Sequence, residues 1–179
     1  PFAKYWMHNA FLNIDNRKMS KSLGNFRTVR QIGEQYDLQV LRFFMLNAHY
    51  RSPLNFSADL MESSKNALER ITDAAARLRD RQTAASVQEA SEDEKQMMQE
   101  EAGFITKFEE AMDDDFNTAD ALAAVFELVK FANTNLQEGS SAEFAAYTLE
   151  VMTKLCDVLG LILDKKDDIL DEEIENLIA

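Results

Sequence analysis

The residues best suited to chemistry in this sequence lie close together: Lys18, Ser20, Lys21 and Ser22, within the stretch Lys18-Met19-Ser20-Lys21-Ser22-Leu23-Gly24-Asn25-Phe26. Each lysine ammonium carries a full positive charge and three donors, and the two hydroxyls add neutral hydrogen bonds without bulk. Such a set is suited to holding a triphosphate. A reaction at phosphorus builds negative charge on the phosphoryl oxygens, and cations that close on the substrate stabilise that charge most in the transition state. Gly24 gives the stretch a hinge. The glycine-rich GxxxxGK[ST] pattern is absent, and the composition on its own also fits a solvated turn.

Other chemistry has less material. Cys156 is the one cysteine, which excludes an intrachain disulfide, and with His8 and His49 as the two histidines little is left for a zinc site. Cys156 falls on a helical stripe and is expected in the core; His8 is expected to be structural. Asp113, Asp114 and Asp115 lack the alternating spacing and glycine turn of a cation-binding loop, so they are expected to mark a helix entry. Arg27, Arg30, Arg42 and Arg51 are the candidates for RNA contact, with pairing to Glu34 or Asp37 as the alternative. The charge distribution selects them. The net charge is −13, yet residues 1–81 hold 13 Lys or Arg against 8 Asp or Glu, and residues 82–179 hold 6 against 24. A polyanion would meet the first half and be repelled by the second.

The elements that position the lysines follow from composition and period. Five glycines and two prolines in 179 residues, against much Ala, Leu, Glu and Met, predict a mainly α protein. Residues 1–17 read as a strand fragment or hairpin with too few partners for a sheet of its own, and they look cut from something larger. Residues 18–26 read as a surface loop. A helix is expected over residues 29–35 and a second after Asp37, its N-cap, to about Ala48. Pro53 keeps residues 49–57 extended, and Ser57 is placed to cap the next helix. Four apolar stripes then recur at helical spacing. They are Met61, Leu68, Ile71, Ala75 and Leu78; Met98, Ala102, Ile105, Phe108 and Met112; Leu122, Val125, Val129, Ala132 and Leu136, with Asn117 as cap; and Phe144, Thr148, Met152, Leu155, Leu159 and Ile162. Four such helices make a bundle. Met97, Met98, Met112 and Met152 are expected to fill core gaps. Residues 165–179 are acidic, with Ile174, Leu177 and Ile178 on one face of a short expected helix. No apolar run approaches the length of a membrane span, so no membrane partner is expected.

Residues 18–22 resemble the second signature of class I aminoacyl-tRNA synthetases in all five positions. The flanks narrow the resemblance to the cysteinyl-tRNA synthetases. These are Tyr5-Trp6-Met7-His8-Asn9, Leu41-Arg42-Phe43-Phe44, Ala48-His49-Tyr50-Arg51-Ser52-Pro53-Leu54-Asn55-Phe56-Ser57 and Met112-Asp113-Asp114-Asp115-Phe116-Asn117-Thr118. The last sits where that family enters a helix of its DALR domain. Ala10 departs from the pattern, where the family often has Gly.

The resemblance implies activation of cysteine by ATP to cysteinyl-adenylate and transfer of the cysteinyl group to tRNA(Cys), in the cytoplasm. It implies that Lys21 contacts ATP, that Lys18 and Ser20 support it, and that Mg2+ accompanies the nucleotide. The family's Zn2+ is held by residues upstream of this region, as is its other, HIGH-type signature. The chain is therefore expected to be a C-terminal piece, inactive alone and without the small domain that helps read the anticodon. Its expected parts are the edge of an α/β (Rossmann-type) catalytic domain with the signature loop (1–26), a stem-contacting segment (27–57) and a DALR-type helical bundle (58–179). A monomer is favoured. The cysteine ligase of mycothiol synthesis, which shares the loop, and a non-catalytic helical RNA-binding or scaffold module are the alternatives.

Overall fold

The structure, a computed structural model, describes residues 2–164. The short helix expected within residues 165–179 lies outside the described residues. The chain begins with strand β1 (Leu12–Ile14) and strand β2 (Arg17–Lys18), joined as an antiparallel hairpin with Asn13 opposite Lys18. The two-residue connection, Asp15 and Asn16, takes positive φ values of 47° and 60°, the left-handed region that the twist of such tight hairpins demands and that Asn and Asp tolerate. The hairpin is not left alone. Residues 54–56, expected to be merely extended, form strand β3 (Leu54–Phe56), which pairs parallel to β1 and completes a three-stranded sheet in the order β2-β1-β3.

Helices α1 (Val29–Gly33) and α2 (Leu38–Leu46) connect the hairpin to β3. Thr28 and Gln31 form a reciprocal capping box on α1, which makes so short a helix tenable, and Asp37 caps α2 as expected. Helix α2 buries Val40, Phe43 and Phe44. Phe56 of β3 packs edge-on against Phe44 and Tyr36, with ring centroids 5.7 and 6.4 Å apart, and so joins the sheet to the helices.

Helix α3 (Ala58–Ala84), capped by Ser57, buries its whole expected stripe. The second stripe is not one helix. It divides into α4 (Glu92–Glu100) and α5 (Ala102–Asp113) at Glu101, where the Phe104 N–H reaches back only to the Glu101 carbonyl. The tightening turns the Glu101 side chain fully inward, where the Thr148 hydroxyl donates to Oε1 at 2.6 Å and Oε2 has no hydrogen-bond partner among the described residues. Burial pushes this carboxyl up to about 7. Consequently Ala102 is exposed, Met98, Ile105 and Met112 are half-buried, and Phe108 and Ala111 carry the buried face of α5.

Helix α6 (Thr118–Asn135) is capped by Asn117, and α7 (Ala142–Leu159) by Ser141. Helices α3, α5, α6 and α7 pack on one another around Met61, Ile71, Leu128 and Met152, while α4 lies against α7. There the Glu94 carboxylate accepts from the Ser141 N–H at 2.9 Å. Gly160 ends α7 in the left-handed conformation at φ 65°. Ile162, expected on the buried stripe, therefore falls beyond the helix and is exposed, and Leu161 and Leu163 are buried instead. Cys156 and Met152 are buried as expected, and the Cys156 thiol is pushed up to about 12 by its burial. No helix among the described residues is long and apolar enough to cross a membrane.

Candidate nucleotide-binding site

The loop is held from inside by one side chain. Asn25 Oδ1 accepts from the Ser20 N–H at 2.9 Å while its Nδ2 donates to the Lys18 carbonyl at 3.2 Å, so a single amide ties both limbs. Ser20 Oγ accepts from the Leu23 N–H at 3.2 Å and lies 3.1 Å from Ser22 Oγ. The Gly24 N–H closes a turn on the Lys21 carbonyl at 3.2 Å. Gly24 sits at φ 68° with open space where a Cβ would stand, so its backbone conformation and not crowding calls for glycine. Sequence reasoning assigned Asn25 no role. An Asn that bonds nearby backbone in a loop is a legible signal, although which groups it ties is not.

Both lysines face solvent. Lys18 Nζ lies over the Phe11 ring at 5.7 Å and Lys21 Nζ over the Phe26 ring at 5.6 Å. Among the described residues neither forms an ion pair, so both charges stay available to an anion. Lys18 belongs to β2 and not to the loop proper, which fixes its backbone while Lys21 rides on the turn. Ser20 is half-buried and used internally.

The seat of this loop is the sheet. The Asp15 N–H donates to the Phe56 carbonyl at 3.0 Å, the Asn16 N–H to Asn55 Oδ1 at 2.7 Å, and the Ala10 N–H to the Tyr50 carbonyl at 2.9 Å. In the same part of the chain Tyr5, Trp6, Phe11, Leu23 and Val29 are each largely exposed. His8 is exposed and stacks on Trp6 at 6.5 Å.

The four arginines separate. Arg27 and Arg30 are exposed and, among the described residues, without an ion pair. Arg42 is otherwise engaged. Its Nε donates to the Leu159 carbonyl at 2.6 Å and its guanidinium covers Gly160 so closely that a Cβ there would meet it at 2.5 Å. Arg51 pairs with Asp115 at 2.8 Å, a partner that the sequence did not suggest. The acidic run is a helix exit and not the expected helix entry: Asp113 ends α5, Asp114 is its C-cap, and Asp115 docks on residues 49–51, while the entry of α6 falls to Asn117. Among the described residues no cluster of three or more His, Cys, Asp or Glu side chains is arranged to hold a metal ion.

A small sheet followed by a capped helical bundle is a fold with a solved counterpart. One chain of a solved ternary complex of Agrobacterium radiobacter K84 LeuRS, tRNA and LeuAMS superimposes with a TM-score of 0.66 at 18% identity, over 92% of this chain and 24% of that one. Residues 1–66 match the family of tRNA synthetases class I (C) catalytic domains, and residues 107–164 match the DALR domain.

Three curated relatives carry the name cysteine--tRNA ligase. That of Lachnospira eligens is 59% identical over 100% of this chain and 38% of its own length. That of Lachnoclostridium phytofermentans is 54% identical over 99% and 39%, and that of Clostridioides difficile 47% identical over 99% and 38%. The chain is similar to these cysteine--tRNA ligases over essentially its whole length, and it spans less than two-fifths of theirs.

Proposed function

We propose that this chain supplies the ATP loop and the helical tRNA-side domain of a ligase that activates cysteine with ATP and transfers it to tRNA(Cys). The observation that carries the reading is the pair of solvent-facing lysines without an ion pair among the described residues, Lys18 on a strand and Lys21 on a turn, in a chain whose relatives are cysteine--tRNA ligases. In the reaction the cysteine carboxylate attacks the α-phosphorus of ATP, an oxygen–phosphorus bond forms, and pyrophosphate leaves with the electron pair of the broken bond. Lys21 binds the phosphates as charge builds on the departing pyrophosphate. Lys18 adds charge from the sheet edge, and Ser20 holds the loop in shape and offers its hydroxyl to the nucleotide. Mg2+ accompanies ATP as its counter-ion. No cluster among the described residues fits the family's zinc, and no step is assigned to it. The parts are the catalytic edge (1–26), a stem-contacting segment (27–57) and the bundle (58–179), with Arg27 and Arg30 on the RNA side.

The test is cysteine-dependent pyrophosphate exchange. The 179-residue chain alone is expected to show none; the protein at the full length of its relatives is expected to show it and to charge tRNA(Cys). In that protein Lys21→Ala lowers kcat by roughly 10²–10³, the cost of one lost charge-stabilising donor. An undiminished rate would remove Lys21 from the mechanism. Adenylate formation without tRNA charging would instead favour a cysteine ligase acting on another acceptor, such as the amino sugar of mycothiol synthesis.

A further inference from the structure

We propose that Asp115 is a positioning residue for the signature loop: anchored on the bundle, its carboxylate fixes residues 49–51, and through them the sheet that carries Lys18. The proposal rests on the function proposed above only for what the loop then does. The anchoring itself stands on geometry.

Asp115 and Phe116 are consecutive non-glycine residues at φ 57° and 54°, left-handed conformations that side chains rarely adopt. The surrounding chain holds them there. The Phe116 N–H donates to the Met112 carbonyl at 3.1 Å and the Asn117 N–H to the Ala111 carbonyl at 3.0 Å. Asn117 caps α6, and the Thr118 hydroxyl donates to the Leu46 carbonyl of α2 at 2.8 Å. This turn aims the Asp115 carboxylate out of the bundle at a segment far away in sequence. The Tyr50 hydroxyl donates to Oδ1 at 2.7 Å, Arg51 Nε lies 2.8 Å from Oδ2, Arg51 Nη2 donates to Oδ1 at 3.2 Å, and His49 Nε2 lies 3.8 Å from Oδ2. Arg51 Nε also donates to the Tyr50 hydroxyl at 2.9 Å, and the His49 ring stacks on Tyr50 at 4.8 Å. One carboxylate therefore gathers three consecutive side chains.

From there the path to the lysines is short. The Tyr50 carbonyl accepts from the Ala10 N–H, and the Leu54 N–H donates to the Phe11 carbonyl at 3.0 Å. Strand β3 pairs with β1, and β1 pairs Asn13 with Lys18. The backbone of Lys18 is held in turn by Asn25. A change in where Asp115 holds residues 49–51 is carried to the loop by backbone hydrogen bonds.

The experiment compares wild type with Asp115→Ala, Asp115→Asn and Asp115→Gly. The glycine variant removes the carboxylate while relieving the left-handed backbone, so that loss of the contact is separated from loss of the turn. Amide hydrogen exchange on the 179-residue chain reads the path. Asp115→Gly is expected to speed exchange about tenfold or more at Ala10, Ser20, Leu23 and Leu54 while leaving Leu128 and Met152 unchanged, and Asp115→Asn to keep most of the protection. In the protein at the full length of its relatives, Asp115→Gly is expected to lower kcat of pyrophosphate exchange about tenfold with KM for ATP nearly constant, as loss of a transition-state alignment does. Unchanged exchange at Ala10 and Leu54, or acceleration spread evenly through the bundle, would overturn the positioning role. If full-length wild type lacks pyrophosphate exchange, the proposed function fails, and the amide pattern still decides whether Asp115 holds the sheet.

Discussion

Residues 58–164 enclose Ile71, Leu128, Phe144 and Met152 completely, whereas in residues 2–26 no side chain is buried and Tyr5, Trp6, Phe11 and Leu23 stand more than half exposed. The bundle is held by burial, which is non-directional and insensitive to any one polar group. The lysine-bearing sheet is held by directional bonds to β3, to Asn25 and, through residues 49–51, to Asp115. Stability and the proposed chemistry are thus assigned to different residues, so mutations should separate them.

The largest expected effect lies in the bundle. Phe144→Ala should cost about 3–5 kcal/mol in chemical unfolding, because a fully buried aromatic leaves a cavity behind. A loss under about 1 kcal/mol, the scale of ordinary surface changes, would break the contrast.

Next comes Glu101, a carboxyl fully buried in that core. A carboxyl raised from 4.5 to about 7 is more protonated folded than unfolded between those values, so stability falls as pH rises across that window. Glu101→Gln should flatten that fall, which is on the order of 2 kcal/mol given ~1.4 kcal/mol per pKa unit and partial relaxation of the site. Unfolding curves at pH 4.5, 6 and 8 check it. An unchanged slope in the variant would assign the dependence elsewhere.

Gly160→Ala should cost about 1–2 kcal/mol for a side chain in the left-handed region, and it displaces the Arg42 guanidinium as well. In an Arg42→Ala background only the backbone part should remain. Identical costs in both backgrounds would show that the contact contributes nothing.

Smallest is Lys21→Ala, which should move the unfolding midpoint by an amount equivalent to less than about 0.5 kcal/mol. Appreciable destabilisation would mean that the loop lysine serves the fold after all.

The two regions also differ in how far they could be read from sequence. The bundle stripes and the caps Asp37, Ser57 and Asn117 were legible because period and capping are local properties. The break at Glu101 was hidden by an apolar stripe that runs straight across it, and only the tertiary bond to Thr148 marks it. The lysines and serines of the loop suggested the proposed phosphate chemistry by type. Their seat did not, because β3 is three residues long and pairs across two intervening helices. Likewise Arg42 and Arg51 were legible as cations, but their partners lie 117 and 64 residues away in the chain. Residue type is local, and the contacts a residue makes are not.

The parallel pairing of β1 with β3 has a consequence for how the protein comes into being. During synthesis the hairpin and its lysines leave the ribosome before the strand that will flank them and before Asp115. The hairpin is local and can form within microseconds of emerging. Its place beside β3 requires closing the loop that contains α1 and α2, and the clamp requires α3, α4 and α5 as well. The loop is made before the strand and the carboxylate that set it in position.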